Sequence, residues 1–176
     1  MLLLIVAFFT TIAHYLCRAV EMRIHRFNID FMEFVEADER GKKSNRTFLV
    51  ILALAPAIFL LEAVVGNYTL SSLSCVYGLS ILGVSLALRL WAIDTVGRMW
   101  SLRILFVPGT DRVRTGPYRF FDHPEYLSRF LDLLALAMIW QAWWSLSFIL
   151  PLLLVFGAAC GAIERRQMSE LAGLSQ

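Results

Sequence analysis

Long apolar runs constrain the fold of this chain more than any other feature of its sequence. A transmembrane α-helix needs about 20 consecutive, mostly apolar residues. Five segments approach that length, at residues 2–17, 47–65, 72–93, 124–143 and 146–163. In agreement, 59% of the residues are hydrophobic and 17% are charged, whereas soluble domains have roughly 45–50% and 25%. The sequence therefore predicts an all-α integral membrane protein with about five transmembrane helices, in a single domain over residues 1–176.

The basic residues predict how these helices are oriented. Of the 16 lysine and arginine residues, 14 lie between helices one and two, between helices three and four, or after helix five. With five spans these segments share one side of the membrane, and positive residues favour the cytoplasmic side. We therefore expect a multi-pass protein of the inner or cell membrane, with its N-terminus outside and its C-terminus in the cytoplasm.

Composition argues against two other classes of function. The net charge of +2 is too small to indicate a nucleic-acid partner. The three cysteines are scattered and form no Cys/His cluster, so neither a metal site nor a disulfide framework is expected.

Charged residues in and near the spans carry further expectations. Residues 18–46 mix both charge signs with apolar residues at helical spacing, which indicates an amphipathic helix on the cytoplasmic surface. We expect His25 to be solvated in that segment, and Arg89 to extend to the nearby interface. Arg129 and Asp132 lie inside helix four, where charged residues face a protein interior or cavity and pair with each other. Both a structural ion pair and a functional role remain open for them.

The last two spans predict a C-terminal helical hairpin. Only two residues separate them, so the helices must be antiparallel and their cytoplasmic ends must be neighbours. This arrangement places His123 and Tyr126 near Glu164 and Arg165. Glu125 lies in the first turn of helix four, where a carboxylate complements the positive end of the helix dipole.

Residues 114–127, RTGPYRFFDHPEYL, carry a family resemblance. This stretch resembles the Gly-Pro-Tyr-Arg-Tyr-x-Arg-His-Pro-x-Tyr-x-Gly-like motif of the isoprenylcysteine carboxyl methyltransferase family, whose members are membrane enzymes. Residues 116–119 and 123–126 match that motif. The family also has a Glu-Glu pair near the end of its last helix, and Glu164 with Arg165 occupies that place here. The resemblance covers residues 94–171.

The resemblance implies an S-adenosylmethionine-dependent O-methyltransferase with a cytoplasmic cofactor pocket. The charged loop ending near residues 41–43, the Met-Trp-Ser-Leu stretch at 99–102 and the Pro-Gly at 108–109 resemble a bacterial subgroup. That subgroup methylates alkylpyrones and alkylresorcinols made by type III polyketide synthases. The implied acceptor is a polyketide-derived phenol or pyrone, or a prenylcysteine-like carboxylate, which enters from the bilayer. The implied partners are this acceptor and membrane lipids, without nucleic acid or metal.

The resemblance also implies roles for individual residues. A phenol or enol acceptor benefits from a general base, and either Glu164 or His123 is available for that role. Arg165 or Arg129 would steady an anionic acceptor, so the expected catalytic residues are Glu164, Arg165 and Arg129. The expected cofactor-binding residues are Gly116, Pro117, Tyr118, Arg119, His123, Pro124, Tyr126, Leu127 and Glu164.

Three departures from the family pattern keep alternatives open. Asp122 stands where the family usually has Arg, Arg165 replaces the second Glu, and no Tyr-rich tail of the prenylcysteine enzymes follows residue 171. These departures weigh against prenylcysteine as the acceptor. Membrane sterol and steroid reductases have a related hairpin and motif and would use NADPH, which makes a reductase one alternative. A non-catalytic membrane assembly protein is the other.

Overall fold

The computed structural model describes residues 1–31, 35–36, 39–100, 105–106 and 113–174, with side chains for 1–28, 39–100 and 113–166. It contains five long helices, α1 (Leu2–Phe31), α2 (Glu39–Val65), α3 (Ser72–Val96), α4 (Pro124–Trp140) and α5 (Trp143–Leu174). Two short strands, β1 (Val35–Glu36) and β2 (Leu105–Phe106), pair antiparallel and link the α1–α2 connection to the α3–α4 connection. Residues 101–102 and the Pro-Gly at 108–109 lie outside the described residues.

Four helices in the described part of the chain are long and apolar enough to cross a membrane. They are Leu2–Asn28, Glu39–Val65, Ser72–Met99 and Trp143–Arg166. The remaining helix, α4, has 17 residues, which corresponds to a length of roughly 25 Å. It contacts each of the other four helices, and most of its side chains are buried. The predicted all-α membrane architecture is therefore confirmed, with α4 in the centre of the bundle.

The first helix extends well beyond its predicted end. It runs to Phe31, whereas the sequence predicted a separate surface helix from residue 18. Glu21, His25 and Asn28 on this extension are buried, and Arg18 is largely buried. Steps of three and four residues place these polar side chains on one face of α1, and that face is turned toward the protein. The predictions of a separate surface helix from residue 18 and of a solvated His25 are therefore wrong. Residues 39–46 of that predicted segment belong to α2, and residues 32–34 and 37–38 lie outside the described residues. The opposite face of α1 is exposed, and it combines the apolar side chains of Leu16, Val20, Met22 and Phe27 with Arg23 and Arg26.

Buried charges join α1, α3 and α4. Arg89 of α3 contacts Asp132 of α4, and its Nη1 donates to Glu21 Oε1 of α1 over 3.0 Å. Arg18 of α1 donates to Asp132 Oδ2 over 2.6 Å and to Glu21 Oε2 over 2.8 Å. Ser85 Oγ of α3 lies 2.5 Å from Asp132 Oδ1. We call Arg18, Glu21, Arg89 and Asp132 the buried ion network. The charges of its two cations and two anions sum to zero.

The buried ion network corrects two expectations from the sequence. Arg89 was expected to extend to the interface, but it is only 5% exposed and is paired inside the bundle. Asp132 pairs with Arg89 rather than with Arg129. The Arg129 guanidinium lies instead over the rings of Phe48 and Tyr126. Asp132 faces α1 and α3, whereas Arg129 is turned toward α2.

The hairpin of α4 and α5 is confirmed, with its turn a few residues earlier than predicted. Gln141 adopts a left-handed conformation with φ 56° and ends α4, and α5 begins at Trp143. The first N–H groups of a helix have no partner within it. Glu62 of α2 accepts from the backbone N–H of Ser145 over 2.7 Å and of Trp144 over 3.3 Å. A carboxylate from α2 therefore caps α5.

We predict that removing one member of the buried ion network destabilises the bundle strongly. Arg89→Met deprives two carboxylates of a partner, and the loss of one partner of a buried pair costs about 3–5 kcal/mol. The double variant Arg89→Met/Asp132→Leu removes one cation and one anion and should recover most of that loss. The free energy of unfolding, measured by denaturant titration in detergent micelles, tests both statements.

The exposed pair of Glu39 and Lys42, 3.4 Å apart, provides the matched control. Glu39→Gln should change the free energy of unfolding by less than about 1 kcal/mol, as is usual for surface pairs. A double variant no more stable than Arg89→Met would contradict the charge-balance explanation.

Candidate functional site

The start of α4 and the end of α5 meet at one end of the bundle, which we call the polar end. His123, immediately before α4, places its Nδ1 3.6 Å from Glu164 Oε2 of α5. The His123 ring also stacks on the ring of Tyr126, with centroids 5.3 Å apart and an angle of 29° between the planes. We call these three residues the His–Glu site. Two segments that are distant in the sequence thus form one polar cluster.

Local chemistry explains why the cluster forms. Pro124 occupies the first position of α4, where its missing N–H costs nothing and its fixed φ favours a helix start. Gly161 of α5 faces the His123 ring, and a Cβ at that position would lie 3.2 Å from His123 Nε2 and 3.8 Å from Arg165 Nη1. The absence of a side chain at residue 161 therefore leaves the space that the imidazole occupies.

A second layer lies about one helical turn deeper in the bundle. Cys160 of α5 has its Sγ 3.5 Å from Ser44 Oγ of α2. Phe48 of α2 packs edge-to-face on Tyr126, with centroids 5.3 Å apart. The Arg129 guanidinium is 5.9 Å from the Phe48 ring centroid and 5.7 Å from that of Tyr126, within the range of a cation–π interaction. The helix α2 therefore closes the deep side of the site.

Arg129 of α4 differs from Arg89, the buried arginine of α3, in its lack of a carboxylate partner among the described side chains. It is 2% exposed, and among the described side chains no carboxylate lies within 4.0 Å of its guanidinium, whereas Arg89 is paired with Glu21 and Asp132. A buried guanidinium held mainly by aromatic faces retains donors for an anionic group.

The short 3-10 helix Gly116–Arg119 packs against the end of α3. Gly116 has φ 57°, a left-handed conformation that favours glycine. A Cβ at this position would also overlap the side chain of Thr95. Both the backbone and the packing therefore require glycine here.

Tyr118 of this short helix contributes a hydroxyl close to the polar end. Burial raises the pKa of Tyr118, and the negative charges of Glu125 and Glu164 raise it further. The phenol therefore stays protonated at neutral pH and can donate a hydrogen bond.

The structure places the other predicted site residues at varying depths. Pro117 is buried, and Leu127 is partly buried. Arg119 is exposed, with its guanidinium 6.0 Å from the Phe120 ring centroid, and Arg165 is exposed at the rim. No group of three or more His, Cys, Asp or Glu side chains in the described segments is arranged to hold a metal ion.

Sequence reasoning gave Glu125 no role beyond the helix dipole. In the structure Glu125 is partly buried in the first turn of α4, and its negative charge, together with that of Glu164, raises the pKa of Tyr118. The spacing of four residues between Glu125 and Arg129 was a signal that these side chains are neighbours on the helix.

Comparisons with known proteins match the part of the chain that contains these residues. The model of the isoprenylcysteine carboxyl methyltransferase (ICMT) family matches residues 76–165, which include the motif before α4, the hairpin and Glu164. The uncharacterized protein YpbQ of Bacillus subtilis (strain 168) is 30% identical over 126 residues, which are 72% of this chain and 74% of that protein. No solved structure matches the chain.

Proposed function

The chain belongs to the isoprenylcysteine carboxyl methyltransferase family, a family of membrane methyltransferases, and on that premise we propose an S-adenosylmethionine-dependent O-methyltransferase that acts on a lipophilic acceptor. The observation that carries the proposal is the contact between His123 and Glu164, 3.6 Å apart. It joins the two segments that resemble the family motifs into one polar site at a membrane face. That site can receive a water-soluble cofactor from one side and a lipid from the other.

The side chains at the polar end suit S-adenosylmethionine. This cofactor offers a sulfonium cation, a zwitterionic amino-acid group and ribose hydroxyls. The Glu164 carboxylate attracts a cation and accepts from hydroxyls, and the protonated Tyr118 donates. Gly161 leaves room for the His123 imidazole beside Glu164. The proposed cofactor-binding residues are Gly116, Pro117, Tyr118, Arg119, His123, Pro124, Tyr126, Leu127 and Glu164.

The bound cofactor supplies a methyl carbon already activated by sulfonium, so the protein contributes mainly alignment. Glu164 would orient the donor, or accept a proton together with His123. Arg129, one turn deeper, would hold an acceptor oxygen that arrives from the bilayer, and Arg165 would attract anions at the rim. The proposed acceptors are polyketide-derived phenols or pyrones, and lipophilic carboxylates.

We propose that the whole chain, 1–176, works as one unit with the polar end in the cytoplasm and the N-terminus outside. The distribution of basic residues supports this orientation. S-adenosylmethionine is made in the cytosol, so this orientation exposes the site to it.

Substitution of either member of the central contact should impair cofactor binding. We predict that His123→Ala and Glu164→Ala each weaken binding of S-adenosylhomocysteine by about tenfold or more, the range for hydrogen bonds to charged groups. Isothermal titration of the purified protein in detergent measures the affinity. Glu39→Ala, at the exposed start of α2, is the control and should bind like the wild type. Unchanged binding by both site variants would defeat the site assignment.

The same titration separates the proposed function from its two rivals. A reductase of related fold would bind NADPH in preference to S-adenosylmethionine. A non-catalytic assembly protein would bind neither cofactor. We expect the protein to bind S-adenosylmethionine and its product S-adenosylhomocysteine, and not to bind NADPH.

Two glycines on α5 offer a matched test of the space beside His123. A Cβ at residue 161 would lie 3.2 Å from His123 Nε2, whereas a Cβ at residue 157 would lie 3.4 Å or more from the Phe130 and Phe48 rings. We predict that Gly161→Leu displaces the imidazole and weakens binding of S-adenosylhomocysteine by about tenfold or more. Gly157→Ala should retain nearly full affinity. Equal affinities in the two variants would show that the space beside His123 is not used by the cofactor.

The orientation can be tested with single cysteines in a background that lacks Cys17, Cys75 and Cys160. A membrane-impermeant maleimide applied to intact cells should label Thr69→Cys, in the connection between α2 and α3, and should not label Lys43→Cys. Permeabilised cells, in which both positions should react, provide the control. Labelling of Lys43→Cys in intact cells would reverse the proposed topology.

A further inference from the structure

The helices α1 and α2 are neighbours that meet through a long side chain rather than through close packing. In the described part of the chain, α1 packs on α3 and α4, whereas α2 packs on α4 and α5. The Tyr15 hydroxyl of α1 reaches across to α2 and donates to the Ala53 carbonyl over 3.0 Å. Tyr15 is 39% exposed, and Ala53 is exposed. A tyrosine that spans the distance to a backbone carbonyl leaves a groove between the two helices, open to the bilayer.

Helix periodicity defines the walls of this α1–α2 groove between Tyr15 and the polar end. Residues three, four or seven positions apart lie on one face of a helix, and α1 and α2 run in opposite directions. The walls therefore consist of exposed or partly exposed side chains that follow Tyr15 on α1 and precede Ala53 on α2, namely Ala19, Met22, Arg26, Leu49 and Arg46. The 11 residues from Tyr15 to Arg26 cover about 16 Å, which is roughly half of the 30 Å hydrocarbon core. The groove is thus as long as one leaflet is deep.

The α1–α2 groove is apolar along its length and cationic at its mouth. Met22 and Leu49 line it with hydrocarbon, and Arg26 and Arg46 lie at the end that is nearest to the lipid headgroups. Among the described side chains, neither arginine has a carboxylate within 4.0 Å, whereas Lys42, one turn from Arg46, is paired with Glu39. An acyl chain fits the apolar part, and a headgroup phosphate complements the two guanidinium groups.

We propose that the α1–α2 groove binds an anionic phospholipid from the leaflet at the polar end, with an acyl chain between Met22 and Leu49 and its phosphate on Arg26 and Arg46. A zwitterionic phosphatidylcholine would also bring a choline cation to the two arginines, so the anionic lipid is favoured. A second copy of the chain would bring the same cations to the groove, which disfavours a symmetric dimer there. The bound lipid would join α1 to α2. The site is separate from the His–Glu site and does not depend on methyl transfer.

Lipid retention by the full-length protein tests the headgroup site. The delipidated protein in detergent is mixed with equal amounts of dioleoylphosphatidylglycerol and dioleoylphosphatidylcholine, which share their acyl chains, and native mass spectrometry measures the bound lipid. The wild type should prefer phosphatidylglycerol by about tenfold or more, since each basic residue near anionic lipid strengthens binding several-fold. Arg26→Gln/Arg46→Gln should lose most of this preference, and Arg26→Lys/Arg46→Lys should keep most of it.

Arg40 supplies the matched control for Arg46. Both are exposed on the first turns of α2, but six residues of helix turn Arg40 by about 120° from Arg46 and away from α1. Arg40→Gln and Arg46→Gln remove the same charge, and only Arg46→Gln should lower the preference for phosphatidylglycerol.

Filling the groove tests the acyl-chain site. Leu49→Trp places a larger side chain between the helices and keeps both arginines, so it should reduce retention of phosphatidylglycerol about tenfold. Leu54→Trp makes the same change at a 55% exposed position that is turned to the bilayer, and should retain the lipid like the wild type. Glycerol 3-phosphate, which has the phosphate without the chains, should not displace phosphatidylglycerol at equal concentration. The melting temperature of each variant in the same detergent verifies that it is folded.

Each other outcome overturns the proposal. Equal retention of the two lipids by the wild type, or a preference that persists in Arg26→Gln/Arg46→Gln, would show that the arginines are satisfied within the chain, which has acidic residues at 30, 33, 36 and 38. Equal losses in Arg40→Gln and Arg46→Gln would indicate net charge rather than a site. A dimer that replaces the lipid adducts and dissociates in Leu49→Trp would assign the groove to a second copy. Because none of these measurements involves S-adenosylhomocysteine, the proposed function stands or fails separately.

Discussion

The buried ion network determines how the other parts of the bundle are placed. Lipid gives helices little hydrophobic reason to associate, so polar contacts and close packing set their relative positions. The inward face of α1 is largely polar, and its links to Asp132 and Arg89 hold it against α4 and α3. Because removal of either partner leaves a charge in an apolar interior, these helices have one favourable rotation relative to each other.

That rotation places the candidate site. With Asp132 directed at α1 and α3, the helix geometry of α4 turns Tyr126 and Arg129 toward Phe48 of α2. The same docking of α1 brings Asn28 to the backbone of Trp100. The structural core in the membrane and the polar end are therefore parts of one arrangement, in which the direction of each α4 side chain is fixed by charges one or two turns away.

The sequence predicted the features that depend on the length and order of its segments. It did not predict the ion pairs, whose partners are far apart in the sequence. Two apolar runs joined by a short turn must place His123 near Glu164, and residue counting was sufficient for that. The predicted length of α1 was wrong because a charged residue ordinarily marks the end of a transmembrane span, and Arg18 was read in that way. Arg18 is instead paired with Asp132, 114 residues away, and Arg89 with Glu21, 68 residues away. Hydropathy averaged over a window contains no information about such partners.

The departure from the family pattern at Arg165 acquires a physical meaning from the neighbouring helix. Where the family has two carboxylates at the end of its last helix, this chain has Glu164 followed by an exposed arginine. A second carboxylate nevertheless enters the polar end from α4, as Glu125. The negative charges of Glu125 and Glu164 both raise the pKa of Tyr118, so the two carboxylates near that phenol come from two helices. On the proposed function, the negative charge that the family pattern places at the end of the last helix is thus shared between α5 and α4.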